Sequence, residues 1–449
     1  MFKAFFGGIH PDDGKKYTQK KVVEDMPLVG RYCVPLKQHI GEACVPMVSK
    51  GAVVKKGQCM ANGDKNRSVP IHAPVSGVIA DICSCRDPVT GMSKSIIIDS
   101  DGKDEWLEGR LIFRDNNDLD AASIIDIIRE CGVVGMGGAA FPTHKKLLPP
   151  ANKPVDLLVV NGAECEPYLT SDYRVMLECP EDVVSGCLIA MKAVYAKYCR
   201  IGIEDNKKDA IALMQKYAAG YKNITIVPLP SVYPQGGEKM LVKAISNREV
   251  SSGKLPMDVG CVVLNVSTMK AIADAVEKNI PLIERIVTVS GSSITCPKNI
   301  RARIGTGFND AIAFCGGLKR PASTIIMGGP MMGIAQTDTG VPIVKACSGI
   351  LAFSEQDAGS AVDRPCIRCG RCMDACPMRL RPNMLSMLSE RNKYKTALLE
   401  YDLLDCIECG CCAYVCPAKR NIVQHVRKAK AQNTMNKKRK KLEINEQRG

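Results

Sequence analysis

The stretch that decides the fold at the C-terminal end of this chain is Cys366-Ile-Arg-Cys369-Gly-Arg-Cys372-Met-Asp-Ala-Cys376-Pro377, which returns as Cys406-Ile-Glu-Cys409-Gly-Cys411-Cys412-Ala-Tyr-Val-Cys416-Pro417. Both stretches have the spacing C-x2-C-x2-C-x3-C-P. Three closely spaced thiolates can hold three corners of a cubane, and the fourth cysteine cannot turn back onto the same cube. It therefore reaches the other cube, and the sequence predicts two [4Fe-4S] clusters.

This spacing, which is that of bacterial two-cluster ferredoxins, assigns the ligands to two crossed sets. The first set is Cys366, Cys369, Cys372 and Cys416, and the second is Cys376, Cys406, Cys409 and Cys412. Cys411 is left over. Zinc is the alternative, but zinc sites prefer pairs of Cys-x2-Cys without a third cysteine and a following Cys-Pro. Because clusters relay single electrons and cannot accept a hydride, a two-electron cofactor is expected upstream.

Length and composition indicate a globular protein of several domains. The chain has 449 residues, of which 46% are hydrophobic and 24% charged, and a single core does not usually grow to this size. No uncharged stretch is long enough to span a bilayer, and the opening MFKAFFGGIHPDDGKK has too short an apolar run for a secretory signal. The 23 cysteines are therefore expected to be free thiols and metal ligands in the cytosol.

The formal charge of +14 is concentrated at the C-terminal end, where Lys437 to Lys441 read KKRKK. Such a run can contact nucleic acid, anionic lipid or an acidic partner. A solvated, disordered tail over residues 428–449 is the favoured interpretation, and no nucleic-acid partner is expected.

Upstream of the cysteines the pattern changes twice. Residues 40 to 82 predict short strands separated by turns, similar to a biotinyl or lipoyl carrier domain; the hairpin tip near Asn66 and Arg67 lacks a carrier-lysine motif, so this unit is expected to be structural or docking. From about Asp118, helices alternate with strands, which predicts an α/β sheet: a helix closed by Gly132, a helix near 181 to 199 and a helix opened by Ser267. Residues 284 to 346 predict a small β-rich unit with one helix.

A glycine-rich loop in the α/β region is the candidate cofactor site. Gly135, Gly137 and Gly138 precede Lys146, and missing side chains let backbone N–H groups approach a phosphate or a ring. Glycine-rich turns without a ligand are common, so this pattern is weak by itself. Asn161, Glu164 and Glu166 follow the next predicted strand, where ligands of α/β sheets bind; a solvated acidic turn is the alternative.

The segments GMGGAAFPTHKK, NGAECEP, YPQGGEKML and LNVST, in this order before a β-rich segment and cysteine motifs, resemble the flavin- and NADH-binding subunit of respiratory complex I. With FGGIHP, QHIG, PIHAPVSG, RIGT and GGPMMG added, the chain resembles the RnfC family, the C subunits of the Rnf complex, an ion-translocating ferredoxin:NAD⁺ oxidoreductase. Against the complex I pattern this sequence departs at Met136, Ala140, Ala163, Gly237 and Leu264.

The resemblance implies an α/β multidomain protein. The expected units are a barrel-sandwich hybrid (1–110), a Rossmann-like FMN/NADH domain (111–284), a β-grasp soluble-ligand-binding domain (285–352), a ferredoxin-like two-cluster domain (353–427) and the basic tail (428–449). It places FMN contacts on Gly135, Gly137, Gly138, Lys146, Asn161, Glu164, Gly236, Glu238, Asn265 and Thr268. It places NADH contacts on Phe141 and Glu166.

The function implied is hydride exchange between NAD(H) and FMN, with single electrons relayed through the clusters. The implied partners are other subunits of a peripheral membrane assembly at the cytoplasmic face, with ferredoxin reached through one of them, and the coupled transport is of Na⁺ or H⁺. Two alternatives stay open: an NADH-oxidising subunit of a soluble hydrogenase or formate dehydrogenase, and a non-enzymatic Fe–S or zinc scaffold that docks through its basic tail.

Overall fold

A computed structural model describes residues 5–65, 68–358 and 363–446. In the described part of the chain, no helix combines the length and the apolar character that crossing a bilayer requires. The hairpin tip at Asn66 and Arg67 lies outside the described residues.

The first unit is a small sandwich of two antiparallel sheets. Its larger sheet has the order Arg31–Pro35, Gly91–Ser100, Gly77–Asp87 and Val53–Val54; its smaller sheet has the order Val45–Pro46, Cys59–Asn62 and Ile71–His72. Alternate side chains such as Val34, Ile79 and Ile98 are fully buried between the sheets, because successive residues of a strand face opposite sides. The strand pattern predicted for residues 40 to 82 is therefore present.

The second unit is a parallel α/β sheet. Its strands are Leu157–Gly162, Tyr198–Glu204, Ile224–Leu229 and Cys261–Asn265. In the sheet, Leu157–Gly162 lies between Tyr198–Glu204 and Cys261–Asn265, and Ile224–Leu229 lies outside Tyr198–Glu204. All neighbouring strands are parallel. The strand order therefore reverses between Leu157–Gly162 and Cys261–Asn265, and the crevice at such a reversal is where ligands of open α/β sheets bind.

Helices cover both faces of this sheet. They are Ala121–Glu130, Thr143–Lys146, Ser171–Glu178, Pro180–Val194, Lys208–Ala218, Glu238–Ser246 and Val266–Lys278. Two sequence predictions were wrong in detail. The helix expected to reach residue 199 ends at Val194, and Tyr198 already begins a strand. The last helix is capped by the side chain of Asn265, which accepts from the Ser267 N–H, since Asn is as good an N-cap as Ser.

The third unit is a mixed six-stranded sheet. Its order is Val23–Asp25, Lys298–Arg303, Glu284–Ser290, Gly349–Phe353, Thr324–Met327 and Ile334–Gln336, with the predicted helix at Phe308–Phe314. The edge strand Val23–Asp25 pairs in parallel with Lys298–Arg303. Residues that were expected to belong to the N-terminal sandwich thus complete the sheet of another unit.

The C-terminal unit is helical, with Glu355–Ala358, Arg371–Asp374, Pro382–Glu390, Tyr394–Glu400, Cys411–Tyr414 and Ile422–Glu446. Short 3-10 turns lie at Lys15–Tyr17, Asn116–Asp118, Pro256–Val259 and Leu403–Asp405. The disorder expected over residues 428–449 was wrong as far as residue 446. Val426 and Ala429 are buried against Leu385 and Leu403, which anchors the helix, and the Lys, Arg and Gln residues that follow favour its continuation.

Candidate functional site

The reversal in the α/β sheet brings two asparagines together. Asn161 and Asn265 are register partners at the carboxyl ends of adjacent strands. The Asn161 side-chain amide donates to the Gly236 carbonyl at 2.9 Å, and its oxygen accepts from the Ala163 N–H at 3.0 Å. Three separate sequence segments therefore meet at this edge.

The glycine-rich loop lies over the same edge. The Gly135 N–H donates to the Phe141 carbonyl at 2.8 Å, and the Met136 N–H donates to the Thr268 hydroxyl at 2.9 Å. Gly138 has φ +108° and open space where its Cβ would stand. The loop thus forms an open, glycine-lined surface next to the N-terminus of the helix Val266–Lys278, a position that favours an anionic group.

Lys146 and Glu238 form a half-buried ion pair at one side of this edge. The Lys146 ammonium lies 2.5 Å from Glu238 Oε1 and 2.8 Å from the Val263 carbonyl oxygen. The Lys146 ammonium therefore lies at this edge with its charge balanced by Glu238. The residues present therefore fit a flavin mononucleotide: an open backbone cradle, a helix N-terminus, two asparagine amides and a lysine ammonium meet at one edge of the sheet.

The Glu164 carboxylate caps a helix. It accepts from the Ser171 hydroxyl at 3.1 Å, from the Asp172 N–H at 2.9 Å and from the Tyr173 N–H at 3.2 Å. A carboxylate at a helix N-terminus is stabilised by the free N–H groups there. These three donors engage both carboxylate oxygens, and the FMN contact predicted for Glu164 remains a prediction.

Asp172 is a neighbouring acid that the sequence reasoning missed. Its carboxylate accepts from the Asn265 amide at 2.6 Å and from the Ser267 hydroxyl at 2.5 Å. Burial, followed by the charge of Glu164, raises the pKa of Asp172 to about 6. Asp172 thereby fixes the orientation of Asn265, and an acid in the first turn of a helix is too common a pattern to have revealed this role.

The Glu166 carboxylate faces the third unit. It accepts from the Met331 N–H at 3.0 Å, from the Met332 N–H at 2.9 Å and from the Tyr233 hydroxyl at 3.4 Å. Burial raises the pKa of Glu166 to about 7. The NADH contact predicted for Glu166 remains a prediction, as does that of Phe141, whose side chain is 38% exposed beside the glycine loop.

The eight predicted cluster ligands fall into the two expected groups. Cys376, Cys406, Cys409 and Cys412 line one cavity, and Cys366, Cys369, Cys372 and Cys416 line another. In each cavity three cysteines come from one motif and the fourth from the other. Four thiols around one space are the donor set of a [4Fe-4S] cluster.

The two motifs also share their backbone conformation. Arg368 and Glu408 have φ of 56° and 58°, and Gly370 and Gly410 have φ of 80° and 83°. Gly370 and Gly410 each cap a four-residue helix, Arg371–Asp374 and Cys411–Tyr414. This equivalence makes the C-terminal unit an internal repeat.

Cys411, which the spacing left over, lies on the wall of the first cavity. It is fully buried, and its thiol is 3.9 Å from the Tyr233 carbonyl oxygen. Tyr233 also donates its hydroxyl to the Cys409 carbonyl at 2.6 Å. The cavity of Cys409 is thus in direct contact with the segment that carries Gly236 and Glu238.

Domain models of known families match four parts of the chain. Residues 3–103 match the RnfC barrel sandwich hybrid domain, 128–274 the Nuo51 FMN-binding domain, 286–335 the SLBB domain and 365–420 the 4Fe-4S dicluster domain. Together with the crevice and the two cysteine cavities, they define the chain as an electron-transfer protein with a flavin-type domain and a two-cluster domain.

Full-length relatives then give the family. The chain is 52% identical to the C subunit of the proton-translocating ferredoxin:NAD(+) oxidoreductase complex of Clostridium ljungdahlii, over 96% of this chain and 94% of that protein. It is 40% identical to the C subunit of the Na(+)-translocating ferredoxin:NAD(+) oxidoreductase complex of Acetobacterium woodii, over 95% and 96%. The chain belongs to the RnfC family, which comprises the C subunits of these complexes.

A solved structure shows a related fold. A chain of an NAD+-reducing [NiFe]-hydrogenase in the H2-reduced state matches 70% of this chain and 63% of its own, with a TM-score of 0.51 and 17% identity. At this identity the likeness concerns the fold alone.

Proposed function

We propose that this protein is the NAD(H)-oxidoreductase subunit of an ion-translocating ferredoxin:NAD⁺ oxidoreductase complex. The observation that carries the proposal is the contact, within one chain, between a flavin-type crevice and a cysteine cavity through Tyr233 and Cys409. The relatives' names, which specify this reaction for the C. ljungdahlii and A. woodii proteins, support the assignment.

In this proposal the crevice holds FMN. The contacts are assigned to Gly135, Gly137, Gly138, Lys146, Asn161, Glu164, Gly236, Glu238, Asn265 and Thr268. Bound FMN supplies the exchange of a hydride with NADH and the release of single electrons. The protein's part would be to bind FMN through the glycine loop, to offer the Lys146 ammonium to its negative charge and to exclude water, so no side chain is assigned as an acid or base. Phe141 and Glu166 are assigned to the NADH side.

The cysteines are assigned as two crossed ligand sets. Cys366, Cys369, Cys372 and Cys416 bind one [4Fe-4S] cluster, and Cys376, Cys406, Cys409 and Cys412 bind the other. The cavity of the second set adjoins the flavin crevice through Tyr233. In this proposal, the cluster of the second set is therefore the one next to FMN.

The proposed setting is the cytoplasmic face of the cell membrane, in contact with the other subunits of the complex. Those subunits exchange electrons with ferredoxin and move Na⁺ or H⁺. The proposed division of the chain follows the sequence units, except that residues 23–25 are assigned to the third unit because they pair with its sheet. The solved hydrogenase chain shares the fold, and nothing beyond the fold favours a hydrogenase subunit.

The test is an anaerobic preparation of the full chain with analysis of iron, sulfide and flavin. We expect about eight iron and eight sulfide ions, as two [4Fe-4S] clusters require, and one FMN per chain. Addition of NADH should bleach the flavin absorbance and then the cluster absorbance. A colourless protein that contains zinc would refute the proposal and would support a metal scaffold instead.

A further inference from the structure

The first described residues lie against the cluster unit, far in sequence from their partners. The Phe6 ring lies 5.1 Å from the Arg379 guanidinium, and the Gly8 N–H donates to the Ala375 carbonyl at 3.1 Å. Ala375 and Arg379 flank Cys376, which lines the cavity adjoining the flavin crevice. Residues matched by the barrel sandwich model, which begins at residue 3, therefore cover part of the cluster unit.

Gly7 lies against the backbone of Ala375 and Cys376. An added Cβ would lie 3.0 Å from the Ala375 carbonyl oxygen and 3.0 Å from the carbonyl carbon and oxygen of Cys376. Its φ of +72° also favours glycine. At this position, the backbone of the N-terminal segment packs directly on the backbone of a proposed ligand.

The same segment is paired with Tyr233. Ile9 and Tyr233 exchange two backbone hydrogen bonds of 2.9 Å, in an antiparallel bridge. Tyr233 is 2% exposed, and its hydroxyl donates to the Cys409 carbonyl. Two of the four proposed ligands of this cluster are thus fixed from outside their own unit, Cys376 by Gly7 and Gly8 and Cys409 by Tyr233.

The far end of the segment is anchored in the flavin unit. Lys15 is 4% exposed, and its ammonium donates to the carbonyl oxygens of Glu164, Glu166 and Leu169 at 2.6, 3.0 and 2.5 Å. The Tyr168 N–H donates to the Asp13 carbonyl at 2.6 Å. The segment is therefore tied at one end to the cluster unit and at the other to the loop that follows the strand of Asn161.

We propose that residues 6–15 are a clamp that holds the cluster of Cys376, Cys406, Cys409 and Cys412 at a fixed position beside the flavin crevice. The residues of this N-terminal clamp position the cluster and take no part in the chemistry. The inference rests on the proposed function. NADH supplies two electrons and each cluster accepts one, so no further reactant is needed. Because electron transfer weakens steeply with distance, loosening the clamp at its cluster end slows transfer to the cluster and leaves hydride exchange with FMN unchanged.

The test compares two glycines of equal φ in the full, cofactor-loaded chain. Gly7 and Gly102 both have φ +72°, but nothing lies within 4 Å of a Cβ added at Gly102. Gly7→Ala should slow reduction of the cluster after flavin bleaching about tenfold, the size of effect typical of groups that orient metal ligands. Gly102→Ala should match the wild type. Rapid-mixing absorbance gives both rates, and limited proteolysis should show faster cleavage after Lys15 and Lys16 only in Gly7→Ala.

Tyr233→Phe is a second test, because it keeps the backbone pairing with Ile9 and removes only the hydroxyl, with its bond to the Cys409 carbonyl at 2.6 Å and its longer contact to Glu166 at 3.4 Å. We expect an altered reduction potential and electron paramagnetic resonance signal for one of the two clusters, at unchanged iron content, since hydrogen bonding near the ligands sets the potential. The clamp proposal is overturned if Gly7→Ala shows the wild-type rate of cluster reduction and wild-type protease resistance, or if Tyr233→Phe leaves the reduction potentials and resonance signals unchanged. Neither result affects the proposed function. A wild-type chain without flavin or iron overturns the proposed function as well.

Discussion

Replacing Lys15 by methionine should destabilise the flavin unit by roughly 3 kcal/mol. The Lys15 ammonium donates three hydrogen bonds to backbone carbonyls in a buried site. Removing a partner leaves each buried acceptor unsatisfied, at a cost of about 1–3 kcal/mol each. Burial of the charge acts in the opposite direction, because desolvation lowers the pKa of Lys15. Methionine also keeps part of the packing of the lysine side chain. The expected loss in the free energy of unfolding is therefore about half of the sum over the three hydrogen bonds.

Urea unfolding of Lys15→Met, monitored by flavin release and circular dichroism, measures this loss. Lys16→Met is the matched control, because Lys16 is exposed and should change the free energy of unfolding by less than about 0.5 kcal/mol. FMN should also bind more weakly to Lys15→Met, since the three carbonyls belong to the loop that holds Glu164. A variant as stable as Lys16→Met would refute the account of Lys15 as a buried anchor.

Cys406→Ala should remove about half of the iron and sulfide and leave FMN bound, whereas Cys411→Ala should retain both clusters; metal analysis decides, and iron loss in Cys411→Ala would reassign the ligands. The pKa of Glu166 is raised from its ordinary value of 4.5 to about 7 in the native state. Between these two pH values the native state therefore binds more protons than the unfolded state. The free energy of unfolding should fall by up to roughly 3 kcal/mol as the pH rises through this window. Glu166→Gln should flatten that dependence in urea midpoints measured at pH 5 and pH 8, and an unchanged slope would contradict it. Phe141→Ala should raise KM for NADH about tenfold, equivalent to about 1.4 kcal/mol, with normal FMN content; an unchanged KM would remove Phe141 from the NADH site.

The parts of the structure that the sequence predicted are those with local signals. The two cysteine motifs specify their own loops, since three ligands and a glycine of positive φ lie within a dozen residues. The grouping of the cysteines also followed from geometry, because the fourth cysteine of a motif cannot reach the space enclosed by the other three. Continuous apolar runs indicated the buried strands Leu157–Gly162 and Cys261–Asn265 in the same way.

Features that depend on distant partners were missed. The strand Tyr198–Glu204 follows the helix Pro180–Val194 after only three residues. The sequence has no Gly or Pro there to mark the end of the helix, so its pattern runs on into the strand. Lys15 and Gly7 sit in a polar, glycine-rich opening segment that carries no periodicity. Their partners lie about 150 and 370 residues away, and only the folded structure brings them together. The buried residues of the helix Ile422–Glu446, such as Val426 and Ala429, lie near its start, and the charged run that follows has the composition of a disordered tail.

The crossed cysteine sets have a consequence for biosynthesis. Neither set is complete until the ribosome has passed codon 412, and the set that begins at Cys366 must wait for Cys416. Clusters can therefore be delivered only after Cys412 has been translated, more than a hundred codons after the last residue of the flavin unit. A premature stop between these two codons would spare every proposed ligand of one cluster and remove one proposed ligand of the other, although the first three cysteines of the damaged set were translated about fifty residues earlier.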